Sequence, residues 1–583
     1  MAAPEAYSRS ALSRASLWQP IKRTWAWLAP YGAKALPLRT YFALALIVFT
    51  LHLPGEFSIP ATDRDESRYA EATKQMLLSG DFLDIRFGDQ PRYVQPAAIY
   101  WLQALTTAPF GGPRAGIWAY RLPSILSALA SVLLLAWFGT RIASPAAGVA
   151  AGLLLAMSLL FTAEAHIAKI DATLLLSILA AQASLYLSIE SKGETRPRFV
   201  GWPLVFWLAL GAGVLLKGPI ILAVCGLTLL VYAWWNREPG AALRVRPLLG
   251  LPVLALLVLP WLVAITLKTH GEFLNVAIGQ SIGGKLAGTS DRHAGPPGYH
   301  TILFILTFFP AIAVAGLGGL HAWMHRGERL VRFLIAWILP TWLMFEIVPT
   351  KLPHYVLPVF PALALLVALG LKDSAALLRP VWARWVHRGA GLLFLIGIAV
   401  LFALPFVAAQ NLGTPIGVPT FVAAAGILAV ALGGISLWVR PSGERLLPLL
   451  AGMFLVYFSM FELVIPSLDP LWASARIARR LDALSGCERI EVATAGFAEP
   501  SNLFHFGPET FLGTGATAAG YIAGHTSCGV AIVESSQRQS FDAAAAAKGL
   551  TFSSFGTVAG FNYVKGRRIH LEILLPAGSS LHT

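Results

Sequence analysis

Between residues 62 and 101 the chain reads TDRDESRYAEATKQMLLSGDFLDIRFGDQPRYVQPAAIYW, a polar stretch set between long apolar runs. Asp63, Asp65 and Glu66 stand within six residues of Arg68 and Tyr69, and Arg92, Gln95 and Tyr100 follow. A carboxylate held against an attacking hydroxyl can take its proton. Lysine and arginine can neutralise an anionic leaving group by charge-assisted hydrogen bonds. Further ionisable residues fall inside or beside apolar runs: Glu164, His166, Lys169, Asp171, Lys217, Glu346, Lys351, His354 and Glu462. Charge in such surroundings is costly, which makes each of these a functional candidate. For any single residue a helix cap or a solvated charge is the plainer reading; the clustering weighs against it.

The elements that must position these groups are membrane helices. Of 583 residues 56% are hydrophobic and 13% charged, about half the charge of a soluble domain, and mean hydropathy is +0.65. Apolar runs near twenty residues suit a bilayer core of about 30 Å. Thirteen are expected: 40–58, 122–139, 145–163, 171–189, 203–218, 219–235, 248–267, 299–320, 331–348, 354–371, 389–409, 418–438 and 446–466. With residues 1–39 as a cytoplasmic arm, the even connections collect unpaired bases: Lys192, Arg196 and Arg198; Arg326, Arg329 and Arg332; Lys372, Arg379 and Arg384. In the loop 59–121, by contrast, seven bases meet seven acids. That alternation obeys the positive-inside rule and sets the loop, the C-terminus and every intramembrane charge toward the outer, periplasmic face. The net charge of +14 then reflects topology, and no nucleic-acid partner is implied.

Within the loop, Thr62 or Asp63 with an acid three residues on has capping-box spacing. A helix follows to Ser79-Gly80, with Tyr69, Thr73, Met76 and Leu77 on one face. Pro96 opens a second surface helix. Residues 467–583 lose the long apolar runs. Strands are expected at Arg489–Thr494, Gly529–Val533, Thr557–Tyr563 and Arg568–Leu575, with a turn at Lys565-Gly566 and a helix at Ser540–Lys548. This describes a small outer α/β domain. Cys487 and Cys528 both lie in it, where oxidation is permitted, and a bridge between them is expected over two free thiols. Cys225 sits in an apolar span as a packing residue.

Five segments resemble the polyprenyl-phosphate-sugar-dependent GT-C glycosyltransferases, the aminoarabinose-transferase and protein-mannosyltransferase group: DRDESRYAEATKQMLLSGDF, QPAAIYWLQAL, HIAKIDATLL, LLKGPIIL and PTKLPHYVLPVFPALALL. They span residues 40–370. The resemblance implies a mainly α, polytopic GT-C fold of about thirteen transmembrane helices with periplasmic surface helices and the outer domain. It implies transfer of a sugar from undecaprenyl phosphate to a periplasmic acceptor, lipid A or lipopolysaccharide, by a monomer among membrane lipids. Asp65 and Asp171 correspond to the family's two acidic sites. Arg68, Arg92, Gln95, Lys217, Lys351, His354 and Tyr355 take the phosphate side, and Asp63, Glu66, Tyr69 and Tyr100 position substrate. No cofactor is expected to be required, the alternative being a divalent metal held by Asp65 and Asp171. Where relatives carry Lys-Pro, often after Glu, this chain has Val94-Gln95-Pro96, removing a cation and a metal ligand.

Two other readings compete. A polytopic lipid or solute transporter fits the span count, although transporters hold their charges nearer the midplane. A non-catalytic, degenerate transferase is kept open by Gln95.

Overall fold

The computed structural model describes residues 18–190, 201–283 and 295–582. Lys192, Arg196 and Arg198, together with the first part of the N-terminal arm, lie outside the described residues. Residues 18–28 of that arm are helical.

Each of the thirteen apolar stretches contains a helix. Among the described residues, eight helices are long and apolar enough to cross a membrane, or nine if the pair Pro145–Met157 and Leu159–Ala165, bent by 66°, is one span. Four more, Leu38–His52, Trp202–Lys217, Ile220–Asn236 and Ile312–Met324, are apolar but shorter. Length and composition alone therefore carry eight or nine of the thirteen expected crossings, because several helices stop early at Gly, Pro or a bend. The chain is a multi-pass membrane protein.

Small residues set the closest helix approaches, as membrane packing favours. A Cβ on Gly148 would lie 2.2 Å from the Ala136 carbonyl oxygen, so helices Ile117–Ile142 and Pro145–Met157 can touch backbone to backbone. The bend that follows has a visible cause. At Ser158 the chain leaves helical geometry, and the Leu159 N–H donates to the Phe309 carbonyl at 2.9 Å instead of to its own helix. The redirected helix ends at Ala165, and the next begins at Asp171. The intervening turn thus gathers Glu164, Lys169 and Asp171 at one end of the bundle.

The loop between the first two apolar stretches forms helices Asp65–Ser79 and Ala98–Thr107 and a two-residue ribbon, β1 (Arg86–Phe87) with β2 (Gln90–Pro91). Gly80 closes the first helix at φ 71, a left-handed cap that glycine adopts freely. The two helices are joined by Thr73 Oγ1, which donates to Gln103 Oε1 at 2.6 Å, and by the rings of Tyr69 and Tyr100, 5.6 Å apart.

The C-terminal part is a five-stranded sheet of β3 (Glu491–Ala495), β4 (Phe511–Gly513), β5 (Gly529–Glu534), β6 (Phe552–Asn562) and β7 (Arg567–Pro576), in the order β4-β3-β5-β7-β6. Strands β4, β3 and β5 are parallel; β7 is antiparallel to both neighbours. Strand β5, buried at all six positions, is the central strand. Its alternate residues feed cores on both faces, Val530 and Ile532 on one and Ala531 and Val533 on the other. Cys487 and Cys528 are disulfide-bonded, with Cα atoms 5.9 Å apart. Strand β4 and the helices Ala473–Leu481, Pro500–Phe506 and Gly515–Ala523 were not anticipated. They are short, and Ala-Gly-rich GATAAGYIA carries little apolar periodicity. This domain sits against the loop helices: Lys74 Nζ donates to the Phe504 carbonyl at 2.9 Å, and the rings of Tyr120 and Phe504 are 5.7 Å apart.

Candidate active site

Glu66 organises the motif, through a role other than the substrate positioning expected of it. Arg121 is 1% exposed and spends all its N–H groups on neighbours. Its Nε donates to Glu66 Oε1 at 2.7 Å and its Nη2 to Oε2 at 3.0 Å. The carbonyls of Glu56, Ile59 and Pro60 take the remainder at 2.9–3.1 Å. Glu66 also accepts from the Thr62 N–H at 2.8 Å and from the Ala168 N–H at 2.9 Å. Burial would raise its pKa; the guanidinium outweighs this and holds the carboxyl below the usual carboxylate range. The anticipated capping box exists in half, with the acid reaching back to Thr62. No side chain caps the helix N-terminus: its cap is Arg64 at φ 66, a strained setting for a non-glycine residue immediately before Asp65. Through Ala168, Glu66 ties this helix to the turn carrying Lys169 and Asp171.

That turn builds the second half of the site. Lys169 Nζ lies 2.9 Å from Glu164 Oε2 and 3.2 Å from Asp171 Oδ2. Lys217 Nζ lies 2.5 Å from Asp171 Oδ1. His354 Nε2 is 3.8 Å from the same oxygen, and its Nδ1 is 3.7 Å from Glu164. Asp171 is the first residue of its helix, where the positive end of the dipole favours an anion. Lys217 is the last residue of helix Trp202–Lys217, ahead of Gly218 at φ 68. Its side chain is 19% exposed against 8% for Lys169, which leaves it the more accessible cation.

A cavity of about 450 Å³ opens from this cluster. Its polar end holds Gln95, Asp171, Lys217, His354 and Tyr355; its walls are apolar, among them Val214, Ile220, Val258, Leu262, Phe273 and Ile278. Val94 and Pro96 form part of the rim. Such a space can take a long apolar chain with an anionic head at the lysine.

Arg92, Tyr69 and Tyr100 form a stack beside it. The Arg92 guanidinium lies 4.9 Å from the Tyr69 ring centre, and its Nε donates to the Tyr100 hydroxyl at 3.2 Å. Asp65 feels this group and Arg68 electrostatically, as does Lys169. Among the described residues its carboxylate makes no hydrogen bond or ion pair, so it faces the cations by charge alone.

Two expected site residues are directed elsewhere. Lys351 Nζ donates to the carbonyls of Phe345 and Glu346 at 2.9 and 2.5 Å, closing the C-terminus of helix Arg329–Ile347. Contact with a phosphate would require it to leave both. Asp63 joins the loop to the C-terminal domain. Its N–H donates to the Tyr563 hydroxyl, and its Oδ1 accepts from the Ser501 N–H at 3.3 Å. Glu164 and Lys169, functional candidates by their intramembrane charge though given no specific role, complete the cluster.

Glu164, Asp171 and His354 bring ligand atoms within 4.8 Å of one another, a set able to accept a cation. Two lysine ammonium groups already neutralise its carboxylates, so the residues fit a divalent ion poorly. Asp65 stands outside that set.

Burial at the domain contact raises Asp63 from 3.8 to about 6, against the opposing hydrogen bond from Ser501. Since the folded value exceeds the unfolded one, the acid form is favoured by docking. The contribution of Asp63 is full below about 3.8 and is lost as pH rises through about 6. Proteolysis of the junction near residue 467 is therefore expected to accelerate between mildly acidic and neutral pH, and Asp63→Asn should flatten that rise. A parallel profile in the variant would exclude Asp63 as its source.

Residues 38–271 match the family model for dolichyl-phosphate-mannose-protein mannosyltransferase. The chain is 29% identical over 476 residues to the undecaprenyl phosphate-alpha-4-amino-4-deoxy-L-arabinose arabinosyl transferase of Pseudomonas paraeruginosa, covering 78% of this chain and 81% of the relative. The enzyme of the same name from Aeromonas salmonicida is 29% identical over 374 residues, 63% of this chain and 66% of its own. The crystal structure of ArnT from Cupriavidus metallidurans bound to undecaprenyl phosphate shares the fold, with a TM-score of 0.70 at 21% identity over 92% of this chain and 97% of that one. With its polar cluster at the mouth of an apolar cavity, the chain is a glycosyltransferase similar to the ArnT enzymes, whose GT-C fold it shares.

Proposed function

We propose that the chain transfers a sugar of the 4-amino-4-deoxy-L-arabinose type from undecaprenyl phosphate to lipid A at the periplasmic face of the bacterial inner membrane. The observation that carries the reading is the cavity whose apolar walls end at Lys217, Asp171 and His354. An isoprenoid chain fills the walls, and its phosphate meets Lys217, which Asp171 holds in place. The acceptor attacks the anomeric carbon from the opposite side, inverting it as the C–O bond to phosphate breaks. The departing phosphate carries the negative charge, which Lys217 and Arg68 offset. Asp65, without a hydrogen bond or ion pair among the described residues, takes a proton from a hydroxyl acceptor or orients the sugar beside Arg68. The activities of the relatives support the donor. The positive-inside pattern supports a periplasmic C-terminus, and the outer domain's contacts put it at the same end as the loop.

Isolated membranes supplied with radiolabelled sugar on undecaprenyl phosphate should form labelled lipid A, seen also as a mass increment. Movement of label without a new glycoside would mean transport, and neither would mean a degenerate transferase. An unchanged lipid A spectrum alongside another labelled envelope glycan would overturn the acceptor.

Gln95 lines the same polar end and donates only neutral hydrogen bonds. Gln95→Lys is expected to tighten undecaprenyl phosphate binding about tenfold, since charge-assisted bonds are worth roughly 1.5–3 kcal/mol against about 1 for neutral ones. Fluorescence titration measures this. An unaltered Kd would remove residue 95 from the phosphate contact.

A further inference from the structure

Away from this chemistry, a second polar group is built into the other end of the bundle. Helix Phe360–Lys372 starts beside His354 and runs about 20 Å at 1.5 Å per residue to Asp373. Helix Ile312–Met324 lies against it. Two glycines permit that approach: a Cβ on Gly370 would lie 2.5 Å from the Leu317 carbonyl oxygen, and one on Gly318 would lie 2.9 Å from Val367. The close packing delivers His321 and His325, one helical turn apart, to Asp373.

We propose that His321, His325 and Asp373 bind a divalent transition-metal ion of the zinc type, fastening two helix ends on the face opposite the active site. The three residues offer ligand atoms within 4.8 Å of one another. His321 is 3% exposed, yet its Nδ1 makes no hydrogen bond and lies 3.3 Å from Asp373 Oδ2. An imidazole nitrogen so placed at a carboxylate is an unused donor pair for a metal. His325 Nδ1 stands 3.3 Å from the His321 carbonyl. Donation of that N–H orients the ring and leaves the Nε2 lone pair available, the arrangement that metal-bound histidines use. The His321 and His325 rings are stacked at 4.3 Å. Binding rotates the more exposed His325 until ligand separations reach about 3.4 Å, set by bonds of about 2.0–2.2 Å in a tetrahedron. Water takes the fourth position. Two imidazoles and one carboxylate suit zinc, nickel or copper; magnesium and calcium ask for more oxygen.

The test uses the full chain, carrying a tag free of histidine, stripped with chelator in detergent and titrated with zinc chloride. His325 and Asp373 are changed because both are partly exposed, whereas loss of His321 could unfold the helix pair. His325→Ala and Asp373→Asn should each bind one zinc fewer per chain or weaken that ion at least about tenfold. His325→Cys, which restores a zinc ligand, should recover it. Asp171→Asn should leave the ion in place, separating it from the cluster at the active site. Wild-type zinc content in both ligand variants, or loss of the ion only in Asp171→Asn, would overturn the proposal. Melting curves taken without zinc check that the variants are folded.

Discussion

Replacing Glu66 by glutamine is expected to destabilise the protein by about 3–5 kcal/mol, the range for breaking one side of a buried ion pair. Arg121 is fully enclosed, and the amide of glutamine would set a second donor against its guanidinium. The loss extends beyond the pair. Glu66 also accepts from the Thr62 and Ala168 N–H groups, so its replacement loosens the loop helix and the Lys169–Asp171 turn together. A lowered melting temperature in detergent and reduced transfer activity should therefore appear together. Arg121→Met with Glu66→Leu, which removes both charges, should recover much of the stability, because uncompensated buried charge is the dominant cost. Wild-type melting of Glu66→Gln would show that the pair is dispensable. Recovery of stability without activity would assign the hydrogen bond to Ala168 the task of aligning the catalytic turn.

Asp65→Asn is expected to lower transfer by about 10²–10⁴-fold if a hydroxyl attacks, the contribution of a positioned proton acceptor, while undecaprenyl phosphate still binds. Asparagine keeps the shape and removes the charge that faces Arg68, Arg92 and Lys169. A phosphate acceptor arrives already ionised, and the loss then shrinks to the effect of misplacing the sugar or Arg68. Single-turnover transfer measured beside carrier binding separates the two, and the size of the effect identifies the acceptor atom. Near-normal turnover would end any role for Asp65 in the chemistry.

Several features of the fold were readable residue by residue. The thirteen apolar stretches each contain a helix, since about twenty apolar residues in a row favour helix in a bilayer. Strand β5 and the β6–β7 hairpin were visible as β-branched runs around Lys565-Gly566, with Gly566 at φ 65 as the turn requires. Strand β4 was not, because three residues carry no period. The same hydropathy does not see the break at Ser158 or the early ends of the shorter helices.

For the site, the sequence by itself determined which residues could take part. Ionisable groups in apolar surroundings have few other reasons to be there, and this marked Asp171, Lys217 and His354; the polar loop motif and its resemblance marked Asp65 and Arg68. Which of them meet was decided only by tertiary structure. Ion-pair partners come from distant segments, and no local spacing encodes a contact between residues 66 and 121 or between 171 and 217. Packing assigned Glu66 to Arg121, directed Lys351 at a helix end, brought Glu164 and Lys169 into the cluster, and left Asp65 unpaired among the described residues. The physical reason is that a charge buried in a membrane protein must be neutralised by whatever the fold sets beside it. Sequence fixes the charge; the fold chooses its partner.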